Sequence, residues 1–326
     1  MMVMCSTIVD VLVGSRSDSA CLFVGPLLST LLLRMPQLMN PYIGKILEAV
    51  LYRLQRCEVP IVATKLVLVF VRLAVMDAKQ EIDLLHAVHA GAEATGLSIA
   101  MQKWTQYHNE LQGEYTIKLS TLGLMRVLST LDTRLQDVSV TGREIFRNPE
   151  IITTRARARQ SAPSEWTHVP VPVKIISLLL DQYIELRDVK RERVSARGID
   201  ADDLTGGTND VADDDDDDDD GWEECGDDDD DDDIDEDFDD DEENDNEEDD
   251  SLDANGMGLA DRVMGVGTKR TEDIEARLDP LSALDLLSEL RAFLQNLVHS
   301  SLGSQIIQTY ASEFSLTPPL ILEALR

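Results

Sequence analysis

The sequence predicts an all-α fold, an α-solenoid of stacked helical hairpins interrupted by a long acidic insertion. Three observations predict it. Hydrophobic residues make up 43% of the 326 residues and aromatic ones only 5%. That balance favours aliphatic helix packing over a β-sandwich, which draws on aromatic and β-branched side chains. Apolar residues recur at helical spacing in one segment after another, with short breaks between. The acidic residues crowd into one block instead of spreading along the chain. Composition leaves room for strands in the longer apolar runs; the periodicity argues for helices.

In chain order, the stretch from Leu22 to Met35 is apolar nearly all round and ends at Pro36. The clearest helix opens at Asn40-Pro41, with Asn as N-cap and Pro in the first helical position, where its missing N–H costs nothing. Ile43, Ile46, Leu47, Val50, Leu51 and Leu54 follow as one face, with Lys45, Glu48 and Arg53 on the other. A second helix is expected from Pro60 to about Met76, buried through Ile61, Leu66, Val69, Phe70 and Leu73. Further helical patterns cover Gln80 to His89, Thr95 to His108 and Tyr115 to Ser129. No sharp period links these units, which argues against tetratricopeptide or ankyrin arrays and leaves the more degenerate HEAT-type repeats. A compact helical bundle is the plainer alternative.

Residues 1–140 are therefore assigned to helical repeats. From Thr141 the periodicity lapses, and 141–171 is assigned to a basic loop carrying Arg155, Arg157 and Arg159. A long helix follows over 172–198, with Val173, Ile175, Ile176, Leu178, Leu179, Tyr183 and Leu186 mostly apolar and Gly198 as its stop. Residues 199–279 are assigned to a disordered acidic insertion, because like charges repel and too little apolar surface is present to offset the entropy of ordering. A C-terminal helical unit occupies 280–326, with Leu284, Leu287, Leu290, Leu294 and Leu297 as its packing face.

The formal charge of −34 is concentrated in the insertion. Between Asp210 and Asp250, 31 of 41 residues are Asp or Glu and none is Lys or Arg, so the remainder holds 63 − 31 = 32 acidic residues against 29 basic ones. The four cysteines, Cys5, Cys21, Cys57 and Cys225, form no CxxC pair or framework spacing, as expected of a reduced, intracellular chain. The N-terminus lacks a basic region ahead of its apolar residues, so no signal peptide is expected. IVATKLVLVFVRLAV is too short, and with Lys65 and Arg72 too charged, to cross a bilayer. No membrane insertion is expected.

The insertion is the candidate binding site. Its aspartates run in two blocks: Asp213, Asp214, Asp215, Asp216, Asp217, Asp218, Asp219 and Asp220, then Asp227, Asp228, Asp229, Asp230, Asp231, Asp232 and Asp233. Among them lie Trp222, Ile234 and Phe238, apolar side chains with no evident use in a hydrophilic segment except to stack on a partner. A dense line of negative charge condenses cations, and a basic protein that displaces them gains entropy, so binding should weaken steeply with salt. As a flexible coil the 41 residues would span about 35 Å, and self-repulsion would lengthen that reach. A solubilising linker is the dull alternative.

Other chemistry finds little support. Asp216, Asp218, Asp220 and Gly221 imitate the start of a calcium loop, with Asp227 at its twelfth position, but the bidentate Glu and flanking helices are missing. His86 and His89 have metal-compatible spacing but no further ligands nearby. No metal site, cofactor or catalytic constellation is expected: GxSxG, P-loop, GxGxxG and HExxH patterns are absent. The arginines of the basic loop could contact nucleic acid, carry a localisation signal or sit in solvent. With so acidic a neighbour, direct nucleic-acid binding is not expected. The loop could also pair with the acidic tract when no partner is bound.

Taken together and in order, NPYIGKILEAVLYRLQRCEVPIVATKLVLVFVRLAV, MQKWTQYHNELQGEYTIKLSTLGLMRVLS, RLQDVSVTGREIF, TTRARARQSAPSEWTHVPVPVKIISLLL, the acidic insertion and DPLSALDLLSELRAFL resemble the C-terminal part of receptors of the importin-β (karyopherin-β) family. The resemblance implies a superhelix of HEAT repeats that carries basic cargo from cytoplasm to nucleus, with the core-histone dimer, ribosomal proteins and actin as cargo. It implies release governed by the GTP-bound form of the small GTPase Ran, met mainly through N-terminal repeats absent from this chain. It also implies that the aspartates named above, with Trp222 as an anchor, shield the histones' DNA-binding surface. The family's receptors are far longer, so the chain is expected to be a C-terminal portion whose first helices lack a covering neighbour. A stand-alone acidic histone chaperone and a scaffold with a solubilising linker are the competing readings.

Overall fold

The computed structural model describes residues 2–15, 17–88, 94–145, 165–196 and 279–325. Helices run over Met2–Gly14 (α1), Val24–Arg34 (α2), Pro36–Met39 (α3), Ile43–Leu54 (α4), Pro60–Ala87 (α5), Gly96–Tyr107 (α6) and Glu114–Ser129 (α7). An antiparallel strand pair, Ser139–Ile145 (β1) and Glu165–Pro170 (β2), leads into the long helix Val171–Ala196 (α8). After the insertion come Leu286–His299 (α9), Ser301–Thr309 (α10) and Pro318–Ala324 (α11).

The helices stack in two rows. In one row α1 packs on α4 and α4 on α6; in the other α2 packs on α5 and α5 on α7. Each hairpin therefore meets the next one along the chain, which is the local contact pattern of an α-solenoid. Row members begin at Met2, Ile43 and Gly96, which are 43 − 2 = 41 and 96 − 43 = 53 residues apart. The first spacing is that of a HEAT unit, about 40–47 residues. The second is longer, so no fixed period is visible in the sequence.

The apolar stripe of α4 is buried as its spacing requires, with Leu47, Val50 and Leu51 at 0% exposure. Arg53 does not join Lys45 and Glu48 outside, however. It is buried, donating from Nη1 to the Ser15 carbonyl at 2.8 Å and pairing through Nη2 with Asp18 at 2.6 Å. Asp18 also accepts the N–H groups of Glu58 and Val59. Burial alone would raise its carboxyl; these bonds and the Arg53 charge hold it below the usual carboxylate range. Asn40 is not an N-cap either. Pro36 has already begun α3, and Asn40 enters a single 3₁₀ turn, Asn40–Tyr42, without capping it.

Between its two rows of neighbours, α5 is buried on almost every side up to Val75. Ile61, at 57% exposure, is the exception to the expected stripe. At Asp77 the backbone leaves helical geometry (φ −155°, ψ 95°) and the side chain accepts the Gln80 N–H at 2.9 Å. Asp77 thus caps a second helical segment, and the break expected after Met76 becomes a kink rather than a loop. Two close contacts set the row spacing. Trp104 of α6 lies against Gly123 of α7 and donates from Nε1 to Ser120 at 2.8 Å. A Cβ on Gly25 of α2 would sit 2.1 Å from the Lys65 carbonyl oxygen of α5. α1 to α3 leave Met2, Val3, Phe23, Leu27 and Leu38 exposed.

The basic loop assigned to 141–171 is corrected at both ends: 141–145 and 165–170 belong to the strands. Short alternation, with Val140 and Gly142 buried between exposed neighbours, replaces helical periodicity there. Asp279, assigned to the disordered insertion, is likewise corrected to a buried residue of the frame. The apolar face of the C-terminal unit forms as expected, with Leu290 and Leu294 buried in α9.

The Gly25 contact can be tested against an open glycine. Gly25→Ala should destabilise the chain by about 1–3 kcal/mol in urea unfolding, because a backbone oxygen cannot step aside without parting α2 from α5. On α4, a Cβ added at Gly44 would meet nothing within 4 Å. Gly44→Ala should therefore stabilise the chain by about 0.5–1 kcal/mol.

Candidate functional site: the frame that holds the acidic insertion

The predicted binding residues, Asp213 to Asp220, Trp222, Asp227 to Asp233 and Phe238, lie outside the described residues, as do Arg155, Arg157, Arg159 and His89. What the structure places is the frame at either end of these segments. His86 is exposed on α5, and among the described residues no three His, Cys, Asp or Glu side chains converge as metal ligands.

The return of the chain is fixed by Asp279, 4% exposed. Its Oδ2 accepts from Arg72 Nη1 of α5 at 2.5 Å and from the Tyr115 hydroxyl of α7 at 2.7 Å. Arg72 Nη2 donates to that same hydroxyl at 2.5 Å, closing a three-membered ring of contacts. Oδ1 accepts the Leu281 N–H at 3.0 Å and so caps the 3₁₀ turn Pro280–Ala283, while Lys118 Nζ of α7 holds the Ser282 carbonyl at 2.6 Å. Burial would raise the Asp279 carboxyl, but hydrogen bonds from Tyr115 and Arg72 more than offset this and keep it below the usual range. Burial, together with its bond to Asp279, raises the Tyr115 hydroxyl, which stays protonated. Arg72 is 1% exposed. A guanidinium in an apolar helix needs a carboxylate, and the structure shows that the carboxylate comes from 207 residues further along the chain.

The helix from which the chain departs, α8, is tied to the C-terminal unit. Lys190, near the end of α8, is close enough to Asp285 for its charge to act on that carboxyl. Asp285 caps α9, accepting from Ser288 Oγ at 2.6 Å and Leu287 N at 3.2 Å. The Ser288 bond is the main reason that its carboxyl lies below the usual range. The C-terminus ties the two helices together: Tyr183 of α8 donates to the Ala324 carbonyl at 3.0 Å, and Gln295 of α9 to the Leu325 carbonyl at 2.6 Å. Residues 197–278 thus follow α8 and lead into Asp279, whose partners lie on α5 and α7.

The segment 146–164 springs from the strand pair, which is also fastened to the C-terminal unit. Glu313 Oε2 accepts from the Thr167 hydroxyl at 2.8 Å and the Arg143 N–H at 3.3 Å. A Cβ on Gly142 would lie 2.2 Å from Thr167 Oγ1 and 2.8 Å from Glu313 Oε2, so the register shift between Thr141 and Glu144 leaves room only for glycine. Lys174 of α8 reaches the Gly142 carbonyl at 3.4 Å, and Ser315 donates to Asp181 of α8. Sequence reasoning missed all of these anchors. The one available signal was Arg72, which counted there only against a membrane span.

Comparison with known proteins agrees with this architecture. A family model described as "Importin-11-like, TPR repeats" matches residues 2–147. Importin subunit beta-5 of Saccharomyces cerevisiae is 34% identical over 208 residues, 60% of this chain and 20% of the relative. Importin-9 of Drosophila melanogaster is 24% identical over 173 residues, 52% of this chain and 17% of the relative. Importin subunit beta-5 of Schizosaccharomyces pombe is 27% identical over 185 residues, 56% and 18% respectively. The chain spans about a fifth of the length of the relatives it matches.

The anchor makes two predictions. Arg72→Met leaves Asp279 buried without its cation and should cost about 3–5 kcal/mol in denaturant unfolding. Second, because Asp279 is held below its unfolded value near 3.9, its stabilisation is complete above that value and disappears as pH falls through the lower folded value. The stability difference between the natural chain and Asp279→Asn should therefore be flat above about pH 5 and shrink below about pH 4.

Proposed function

We propose that this chain, similar to importins over much of its length, forms part of a nuclear import receptor of the importin-β family and that its acidic insertion binds basic cargo proteins. The observation that carries this reading is a segment with 31 carboxylates in 41 residues, after which the chain returns to the helical frame at Asp279, buried against α5 and α7. A polyanion held at two points of a rigid frame stays next to whatever the frame binds, and it can cover a broad cationic surface instead of filling a pocket. Condensed counterions leave as the partner's lysines and arginines approach. The core-histone dimer, ribosomal proteins and actin are the proposed cargo. Ran-GTP is the proposed release signal, acting on N-terminal repeats of the longer receptors, and the protein is proposed to move between cytoplasm and nucleus. Trp222 and Phe238 supply apolar contacts within the charged segment.

The test is a salt series of histone-dimer binding to the full chain and to a chain lacking Asp210 to Asp250. Affinity of the full chain should fall at least ~10-fold between about 50 and 200 mM salt, and the shortened chain should lose most of both the affinity and the slope. Equal affinities for the two chains would remove the insertion from the mechanism.

A further inference from the structure

Glu81, in the first turns after the α5 kink, is 1% exposed, and neither of its carboxyl oxygens has a hydrogen-bond partner among the described residues. Burial alone pushes this carboxyl well above the usual carboxylate range. A buried acid without a partner is rare in a folded protein and calls for an explanation.

Glu81 lines a cleft of about 190 Å³ between α3, α4 and α5; for scale, an apolar cavity of about 150 Å³ admits benzene. Exposed Asn40, Asp77 and Gln80 line it together with the buried apolar side chains of Ile43 and Leu73. Asp77 and Glu81 are the two titratable groups among the lining residues, and no lining residue is cationic. A bare metal ion fits this lining poorly, since hard cations take six or more oxygen ligands and half the wall is apolar. An ammonium or guanidinium on an aliphatic stem fits it well. The stem would lie along Ile43 and Leu73, the charge would meet the exposed Asp77 carboxylate and draw the Glu81 carboxyl, closed off from solvent in the free chain, to turn toward it, and the Asn40 side-chain oxygen would accept a further N–H.

We propose that this cleft is a pocket for a lysine or arginine side chain of a protein partner, with Glu81 as the carboxylate that receives it. The pocket is a second contact for a basic protein, on the helical frame and separate from the insertion. It takes from the function proposed above only that the partner is basic.

The test uses the full chain with every Asp and Glu from Asp210 to Asp250 replaced by asparagine or glutamine, titrated calorimetrically with tetralysine beside the unaltered chain. In the neutralised chain, Glu81→Gln should weaken tetralysine binding at least ~10-fold. Binding to the chain with Glu81 should release protons, seen as a heat that varies with the buffer's ionisation enthalpy, because a cation in the pocket favours the ionised carboxyl. The Gln variant should release fewer. Gln37→Lys places a lysine at the cleft; it should raise the melting temperature and also weaken tetralysine binding, which keeps the test decisive if Glu81→Gln fails to fold. Unchanged tetralysine affinity in Gln37→Lys and in a folded Glu81→Gln overturns the pocket. Unchanged affinity on neutralising the insertion, with the Glu81 dependence intact, sinks the insertion reading and leaves the pocket standing.

Discussion

Arg72 sets the terms on which the rest of the molecule closes. It sits in the middle of the most apolar helix, out of reach of water, where an unpaired guanidinium would cost several kcal/mol. Tyr115 helps to solvate it, but among the described residues only Asp279 neutralises it. The consequence is topological. Whatever happens between the end of α8 and Asp279, the chain must come back to one spot between α5 and α7. Closing a long loop costs only about 0.6 kcal/mol more for each doubling of its length. A single buried ion pair can therefore hold the end of an insertion of 82 residues (197–278).

The frame makes that anchoring rigid. In the two-row stack, each helix leans on the members before and after it in its own row, and glycines at the tightest approaches let backbones come close. Polar ties then fix the irregular parts. Asp18 and Arg53 join the turn after α1 to the end of α4, and Glu313 holds the strand pair. Each tie links residues far apart in sequence, and each is at least partly buried, so each resists salt better than a surface pair would.

Carboxylates serve this chain in three different ways. Asp18, half-buried, and Asp279, buried, are both paired, and their low pKa values reflect stabilisation of the folded state. The aspartates of the insertion are numerous and unaccompanied by any Lys or Arg in their stretch, and they are the residues proposed to meet basic cargo. Glu81 is buried and without a partner among the described residues, an arrangement that costs stability. The first group organises the frame; the other two are what a basic partner could use.

Much of the architecture was legible in the sequence because helical packing writes itself locally. The stripe from Ile43 to Leu54, the leucines from Leu284 to Leu297 and the break after Met76 depend on neighbours three or four positions away, and the insertion is evident from charge alone. Asn40 misled because Pro36 had already started a helical turn, and the strands were hidden because a short alternation looks like the mere absence of a helix. Only the tertiary structure could decide that Arg53 and Arg72 turn inward, that Asp279 belongs to the frame and that Glu81 is buried without a partner among the described residues. Whether a charged side chain is buried depends on what another segment brings to it, and here those segments lie between 35 and 207 residues away, counting from Arg53 to Asp18 and from Arg72 to Asp279.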